Sequence, residues 1–470
     1  MEISIGVLGV VAGILVAVIL IAKKVSPSVA LFTGSIVGAL VGGLTLHQSF
    51  NNVLLPGTQA LMGVTSRIIA GAVLAGVLVE SGAAETIART IVKKLGEKRS
   101  ILALAVACMA MVAVGVFNTV SIIMLSPIAL SVAKKANFSK AAALLALSGG
   151  SKAGNIMSPN PNTVAATDTL NSATARLLAE TYYGFEPGTT EFTAKVSELL
   201  GTAGFAVERG VTLSAVMMAG IPGAIVTVIA TAIIAGMWRK KGSYVTDADD
   251  IKDDAGEGLP SFLRAASGPF IAIALLMVGT IGHMLDIEVL RNFQIDAFFA
   301  LPIAALCGAI IMGKGKQFIA FANAGVTGMM PICMLLIGAG ALGAVVSNST
   351  IPAIVTEAIA ASPLPSVLLA PLAGALMSST AGSWVTGVIL AAQSFGDSIL
   401  AFGVSGVAAA TMIQSGAGFV DVMPHGNIFL GSMKSCNLTV KERLAIFPVE
   451  AFIGLFLVIS VTLVHGFILA

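Results

Sequence analysis

Charge is what this 470-residue chain has least of: Asp, Glu, Lys and Arg make up 11% of it, against 56% hydrophobic residues. A soluble domain of this size needs a more polar surface, so nearly every long segment is apolar enough to lie in lipid, and no soluble domain is evident. Cysteine is scarce as well. Cys108, Cys307, Cys333 and Cys436 are scattered without a CxxC spacing, which argues for packing thiols over a metal or disulfide role. No HExxH run and no nucleophile–base pattern occurs, so neither enzyme chemistry nor a metal or cofactor is expected. The formal charge of +2 gives no reason to expect a nucleic-acid partner. The first apolar stretch, 3–22, lacks a charged leader and a small-residue cleavage site ahead of Lys23, and reads as a retained span.

What the chain does have is a pattern that occurs twice: an apolar hairpin with a small polar tip, then an apolar helix broken by Gly, Pro and Asn. The first tip is read at Phe117-Asn118-Thr119, and its break from Ser148-Gly149-Gly150-Ser151 through Met157 to Asn162. The second tip is read at Ser378-Ser379-Thr380, and its break from Ser415-Gly416-Ala417-Gly418 through Met423 to Asn427. Non-helical backbone at membrane depth survives only where protein or a polar cavity satisfies it. Two interruptions in corresponding halves point to a transporter's substrate site.

Hydropathy gives spans at 3–22, 28–46, 60–82, 141–155 and 211–238 in one half, and at 268–286, 297–312, 325–347, 401–419 and 447–470 in the other. Hairpins 100–136 and 362–396 are read as re-entrant, each after the third span. With the N-terminus outside, twenty of the 26 basic residues fall in inner loops, Lys140, Arg264 and Arg443 among them. That is a positive-inside bias for a multi-pass bacterial inner-membrane protein with both termini outside. Five crossings per half make the repeats inverted: 1–238 and 267–470, joined by a cytoplasmic linker at 239–266. Gly71 to Gly76 aligns with Gly338 to Gly343 in support. The expected fold is therefore an all-α polytopic membrane protein of two inverted repeats, each with five transmembrane helices and one re-entrant hairpin, with broken helices at the midplane.

Hairpin tips and broken helices meeting at the midplane offer free N–H groups to a carboxylate and carbonyls to a cation. Hydroxyls and amides of Asn118, Thr119, Ser121, Ser151, Asn155, Asn160, Ser379, Thr380, Ser383 and Asn427, with backbone at Gly150 and Gly416, form the candidate substrate site. The ligand implied is a small organic anion with several oxygens. Among ionisable groups in the spans, Lys152 either holds the anion or neutralises Asp421, and Asp421 or His425 can carry a coupling proton. Arg67 lies within the third span, and Glu80 at its end is read as pairing with Arg89. The outer segment 165–208 reads as a long polar loop.

The run Gly71-Ala72-Val73-Leu74-Ala75-Gly76-Val77-Leu78-Val79-Glu80-Ser81-Gly82-Ala83-Ala84, with Lys94-Leu95-Gly96-Glu97-Lys98-Arg99 and Gly416-Ala417-Gly418, resembles the gluconate permease family of the ion transporter superfamily. The chain departs from that family's His-Pro-Gly type run after the first break, where it has Met157-Ser158-Pro159-Asn160-Pro161-Asn162. The resemblance implies secondary transport of sugar acids such as gluconate or related hydroxycarboxylates, usually with protons. It also implies a homodimer formed through scaffold helices and an elevator-type transport domain. Sodium coupling and an ion antiporter stand as alternatives.

Overall fold

The computed structural model describes residues 5–23, 25–96, 99–187, 189–202, 205–208, 210–246, 249, 258–285, 287–291, 295–424 and 426–469. Regular structure among them is helical, apart from two isolated bridges, Ile5 with Ser349 and Ser139 with Tyr244. The first half contains α1 (Val7–Ala22), α2 (Pro27–Val41), α3 (Met62–Glu80), α4 (Ala83–Leu95), α5 (Ser100–Ala113), α6 (Asn118–Lys135), α7 (Lys140–Asn155), α8 (Pro161–Thr181), α9 (Thr190–Gly201) and α10 (Leu213–Met237). The second contains α11 (Phe262–Met284), α12 (Ala297–Ile311), α13 (Phe318–Ser347), α14 (Ile351–Ala360), α15 (Leu369–Ala381), α16 (Trp384–Ala401), α17 (Gly406–Phe419), α18 (Asn427–Ser435) and α19 (Val440–Leu463).

Six helices among the described residues are long and apolar enough to cross a membrane, including the composite runs Leu46–Glu80 and Gly315–Ser347. Their outer faces fit lipid. Ile221, Ile225, Ile229 and Ile233 form an exposed stripe along α10 at one-turn spacing. By contrast, α4 is amphipathic: it buries Ala83, Ala84, Ile87 and Ala88 and turns Arg89, Lys93 and Lys94 outward, as a helix at a membrane surface does. Arg89 bonds Glu85 one turn back (2.7 Å), where the sequence reading had paired it with Glu80.

The packing is paired across the two halves. α1 packs on α2 and α11 on α12; α2 packs on α13 and α12 on α3. The hairpin helix α5 packs on α7, and α15 on α17. The second part of each broken helix crosses to the other half's hairpin, α8 on α16 and α18 on α6. Finally α3 meets α13, and α10 meets α19.

Close backbone approach sets these crossings. A Cβ on Gly150 would overlap the Ala105 carbonyl of α5, and one on Gly416 would overlap the Pro371 carbonyl of α15. That explains one departure from the sequence reading. The Ser-Gly runs 148–151 and 415–418 are not part of the breaks but lie inside α7 and α17, where small residues admit the neighbouring hairpin. The breaks themselves span 156–160 and 420–426.

Three further expectations change. The second hairpin turns at Gly382, whose φ of 59° suits glycine, so Ser379 and Thr380 fall in the last turn of α15 rather than at the tip. Segment 165–208 is largely helical, with α8 running on to Thr181 and Ala175, Ala179, Leu199 and Phe205 packing into a small cluster. Arg264 lies in α11, and Arg443 is wholly buried in α19, so neither is a loop residue.

Candidate functional site

Both hairpin turns end in an extended residue that starts a helix. Phe117 precedes α6, and Ser383 precedes α16, its hydroxyl accepting from the Thr386 amide at 3.4 Å. Gly426 precedes α18 in the same way. These three helix N-termini line one cavity of about 70 Å³ through Phe117, Asn118 and Thr119, through Ser383, Trp384 and Val385, and through Gly426 and Ile428. The walls are closed by Ile332 and Leu335 of α13 and by Ile21 of α1. Three helix N-termini lining one space bring partial positive charge to it, the electrostatics of an anion site, although the Thr119 amide donates to Asn118 Oδ1 and the Thr386 amide to Ser383 Oγ.

A second polar region surrounds the first break. Asn160 caps α8, its Oδ1 accepting from the Asn162 and Thr163 amides (3.0 and 3.2 Å), while its Nδ2 donates to the Asn155 carbonyl (3.1 Å). Thr163 donates to Gln414 Oε1 of α17 at 3.1 Å. Within this buried group, both amide atoms of Asn155 and of Asn162, and Gln414 Nε2, have no protein partner. Ser121 Oγ and Trp384 Nε1 are also buried without partners. Orphaned donors and acceptors together suit ligands that both give and take hydrogen bonds, such as hydroxyl groups or water.

Charge is concentrated at the second break. Lys152 of α7 donates to Asp421 and to the Gly418 carbonyl, both of its partners lying where α17 ends. Its ammonium also sits 5.6 Å from the centre of the Trp384 ring. Of the two readings open for Lys152, the geometry matches neutralisation of Asp421. Behind this pair lies one that the sequence reading missed: Arg443 and Glu450 of α19, both fully buried and bonded to each other. Arg443 Nε also donates to Ser432 Oγ (3.1 Å), and its guanidinium lies 4.5 Å over the Phe429 ring. Their seven-residue spacing inside an apolar run, which puts both on one helix face, was the available signal.

The other expected site residues divide. Asn118 and Ser151 are buried, and Asn118, Thr119 and Ser383 reach the cavity. Ser379 and Thr380 bond carbonyls of their own helix (2.7 and 2.8 Å), and Thr380 faces α1 instead. Gly150 and Gly416 serve helix packing. Asn427 is the first residue of α18 with its side chain outside the described set, and His425 lies outside the described residues.

The model of the GntP family permeases matches residues 5–184. A Haemophilus influenzae protein described as an uncharacterized transporter is 39% identical over 463 residues, 98% of this chain and 99% of its own. The chain belongs to the GntP permease family. The Escherichia coli inner membrane permease YgbN is 34% identical over 164 residues, 34% of this chain and 36% of its own. In fold, this GntP permease matches the crystal structure of the Alcanivorax borkumensis YdaH transporter with a TM-score of 0.60, at 15% identity, over 96% of this chain and 98% of that one. It is a multi-pass inner-membrane permease for a small molecule.

Proposed function

We propose that this permease is a secondary active symporter that imports a small hydroxycarboxylate, such as gluconate, together with protons. The observation that carries this is the cavity lined by three helix N-termini, with hydroxyls of Thr119 and Ser383 at its wall. The N-termini take the carboxylate, and the orphaned amides near the first break take the hydroxyls. Sodium is the second reading for the coupling ion, favoured by the neutral oxygens of Asn155, Asn162, Thr163 and Gln414.

The paired packing supports the following transport cycle. Residues 1–238 and 267–470 are inverted repeats around the linker 239–266, with both termini outside. Gly57 and Gly340 approach backbone to backbone. Carried through the register that aligns Gly71 with Gly338, they fall on Ala324 and Val73, each one residue from the other tight crossing, Gly325 on Ala72. A two-fold relation between the halves accounts for both. Hairpins, broken helices, α10 and α19 then form an elevator that slides against a scaffold of α1–α3 and α11–α13, and scaffold helices make the dimer. A space of about 210 Å³ lies between the first hairpin, at Val116, Phe117 and Val120, and the scaffold at Gly76 and Gly325, while α16 packs against α13.

The test is uptake of labelled gluconate by purified protein in liposomes under an inward proton or sodium gradient, with unlabelled organic acids as competitors. Accumulation under the proton gradient, blocked by hydroxyacids, is expected. Ion flux without organic uptake would turn the reading to an antiporter.

A further inference from the structure

We infer that Phe117 is the gate of the substrate cavity: its side chain separates the cavity lined by three helix N-termini from the larger space beside the scaffold, and its displacement joins the two. The inference rests on reading that cavity as the substrate site and adds the residue that controls entry to it.

The cavity measures about 70 Å³, room for about two waters at roughly 30 Å³ each. That is far below the about 300 Å³ at which small-molecule pockets begin. The neighbouring space of about 210 Å³ reaches Glu80, exposed at the end of α3, and so meets water there. Joined, the two come close to the size of a ligand pocket. They also lie in line along α13. Gly325, Gly328 and Met329 line the larger space and Ile332 and Leu335 the smaller, positions three or four apart on successive turns of one helix face. Among the described residues lining these two spaces, Phe117 alone is common to both.

Its place in the hairpin leaves the ring free to swing. α5 ends at Ala113 and α6 begins at Asn118, so Phe117 stands in the turn 114–117, which reverses at Gly115 with a φ of 101°. A Cβ on Gly115 would meet only Pro159, at 3.9 Å, so the turn is loosely packed. The Phe117 carbonyl accepts from the Ser121 amide at 2.9 Å, and Asn118 Oδ1 from the Thr119 amide at 2.8 Å. These bonds hold the start of α6, and the ring takes no part in them.

Two apolar beds are available to the ring. On one side it packs against the buried cluster that includes Leu336, Trp384 and Val385. On the other, Val116, Val120 and Met329 line the larger space. Apolar side chains face the ring in either position, so the swing forfeits little burial. The scaffold opposite leaves the way clear, for a Cβ on Gly328 would meet nothing within 4 Å. The ligand's route then runs from the water at Glu80, past the hairpin tip, to the helix N-termini.

The experiment uses the full carrier with its four native cysteines replaced. Val385→Cys places a reporter thiol in the wall of the smaller cavity, and its labelling by a small water-soluble methanethiosulfonate is timed in purified protein. Labelling is expected to be slow with Phe117 in place and about tenfold faster in Phe117→Ala, each tenfold being about 1.4 kcal/mol of barrier. Adding Gly328→Phe, which fills the larger space, is expected to slow it again, an effect that general loosening of the fold would not produce. Equal rates with and without Phe117→Ala overturn the proposal, as does fast labelling that Gly328→Phe leaves unchanged. If Phe117→Ala does not fold, Phe117→Leu is judged by the same two comparisons. Gluconate that gives the thiol no protection while the gate effects persist refutes the substrate-site reading, a separate result.

Discussion

Lys152 in α7 and Asp421 at the end of α17, 269 positions apart, form one buried ion pair that ties the first broken helix to the second. Removing one partner strands the other charge in the protein interior, at a cost of about 3–5 kcal/mol. Lys152→Met and Asp421→Asn are each expected to lower the melting temperature in detergent sharply. Lys152→Met combined with Asp421→Leu is expected to recover most of the loss. A double variant as unstable as the single ones would mean that the two charges do more than neutralise each other.

The glycines next to that pair make a different prediction. Gly150 and Gly416 face the carbonyls of Ala105 and Pro371, so even a methyl group forces α7 from α5, or α17 from α15. Overpacking of this kind costs about 1–3 kcal/mol. Gly150→Ala should lose stability, with uptake falling only as the folded fraction falls, whereas Gly236→Ala, in open space on α10, should lose none. Thermal melting alongside KM for uptake decides it. A stable Gly150→Ala with a raised KM would return this glycine to the ligand site.

Much of the architecture was legible because lipid allows so few solutions. Apolar length marked the long helices α10, α11, α13 and α19 but not the readings at 141–155 and 401–419, and it did not single out Trp384–Ala401, read as a hairpin arm, which is long and apolar enough to cross; Pro and Asn at 159–162 and Pro424 marked the breaks. The misread parts share one physical cause: a residue type that serves two purposes. Glycine next to serine signals a break, yet at Gly150 and Gly416 it serves close helix packing. Ser379 and Thr380 have the hydroxyls of a tip, but hydroxyls that bond a carbonyl three residues back are content inside a helix, and the turn falls at Gly382. Arg443 near a helix start reads as a loop cation until its partner Glu450, two turns on, is seen to be buried with it. The convergence of three helix N-termini depends on contacts between the halves, which no local pattern encodes.

The hairpin hydroxyls can be told apart by function. Thr119 and Ser383 line the cavity, while Thr380 points toward α1 with its hydroxyl bonded to the Met377 carbonyl. One hydrogen bond is worth about 0.5–1.5 kcal/mol, or roughly a 2- to 12-fold change in affinity. Thr119→Val and Ser383→Ala are expected to raise the KM for uptake within that range, and Thr380→Val to leave it in place. Equal effects at all three positions would remove the cavity from consideration as the substrate site.

The elevator reading is most exposed at Arg67. This side chain in α3 grips Asp296 at the start of α12 with both Nε and an NH2 group (3.0 and 2.7 Å), and reaches Asp168 of α8 at 2.6 Å. Burial works to raise the Asp296 carboxyl, but the guanidinium and the Phe298 amide outweigh it and hold it below the usual carboxylate range. The Arg67–Asp296 anchor is therefore kept at neutral pH and weakens only as the pH falls through that lowered value. Both of its residues belong to the proposed scaffold. Asp168 belongs to the proposed moving body, so its bond to Arg67 has to open in every cycle. A carrier with Arg67→Cys and Asp168→Cys, its four native cysteines replaced, is expected to stop transporting when bridged by a short reducible thiol cross-linker and to resume on reduction. Uptake that continues at full rate while the bridge is intact would show that α3 and α8 travel together, and the division into scaffold and elevator would have to be redrawn.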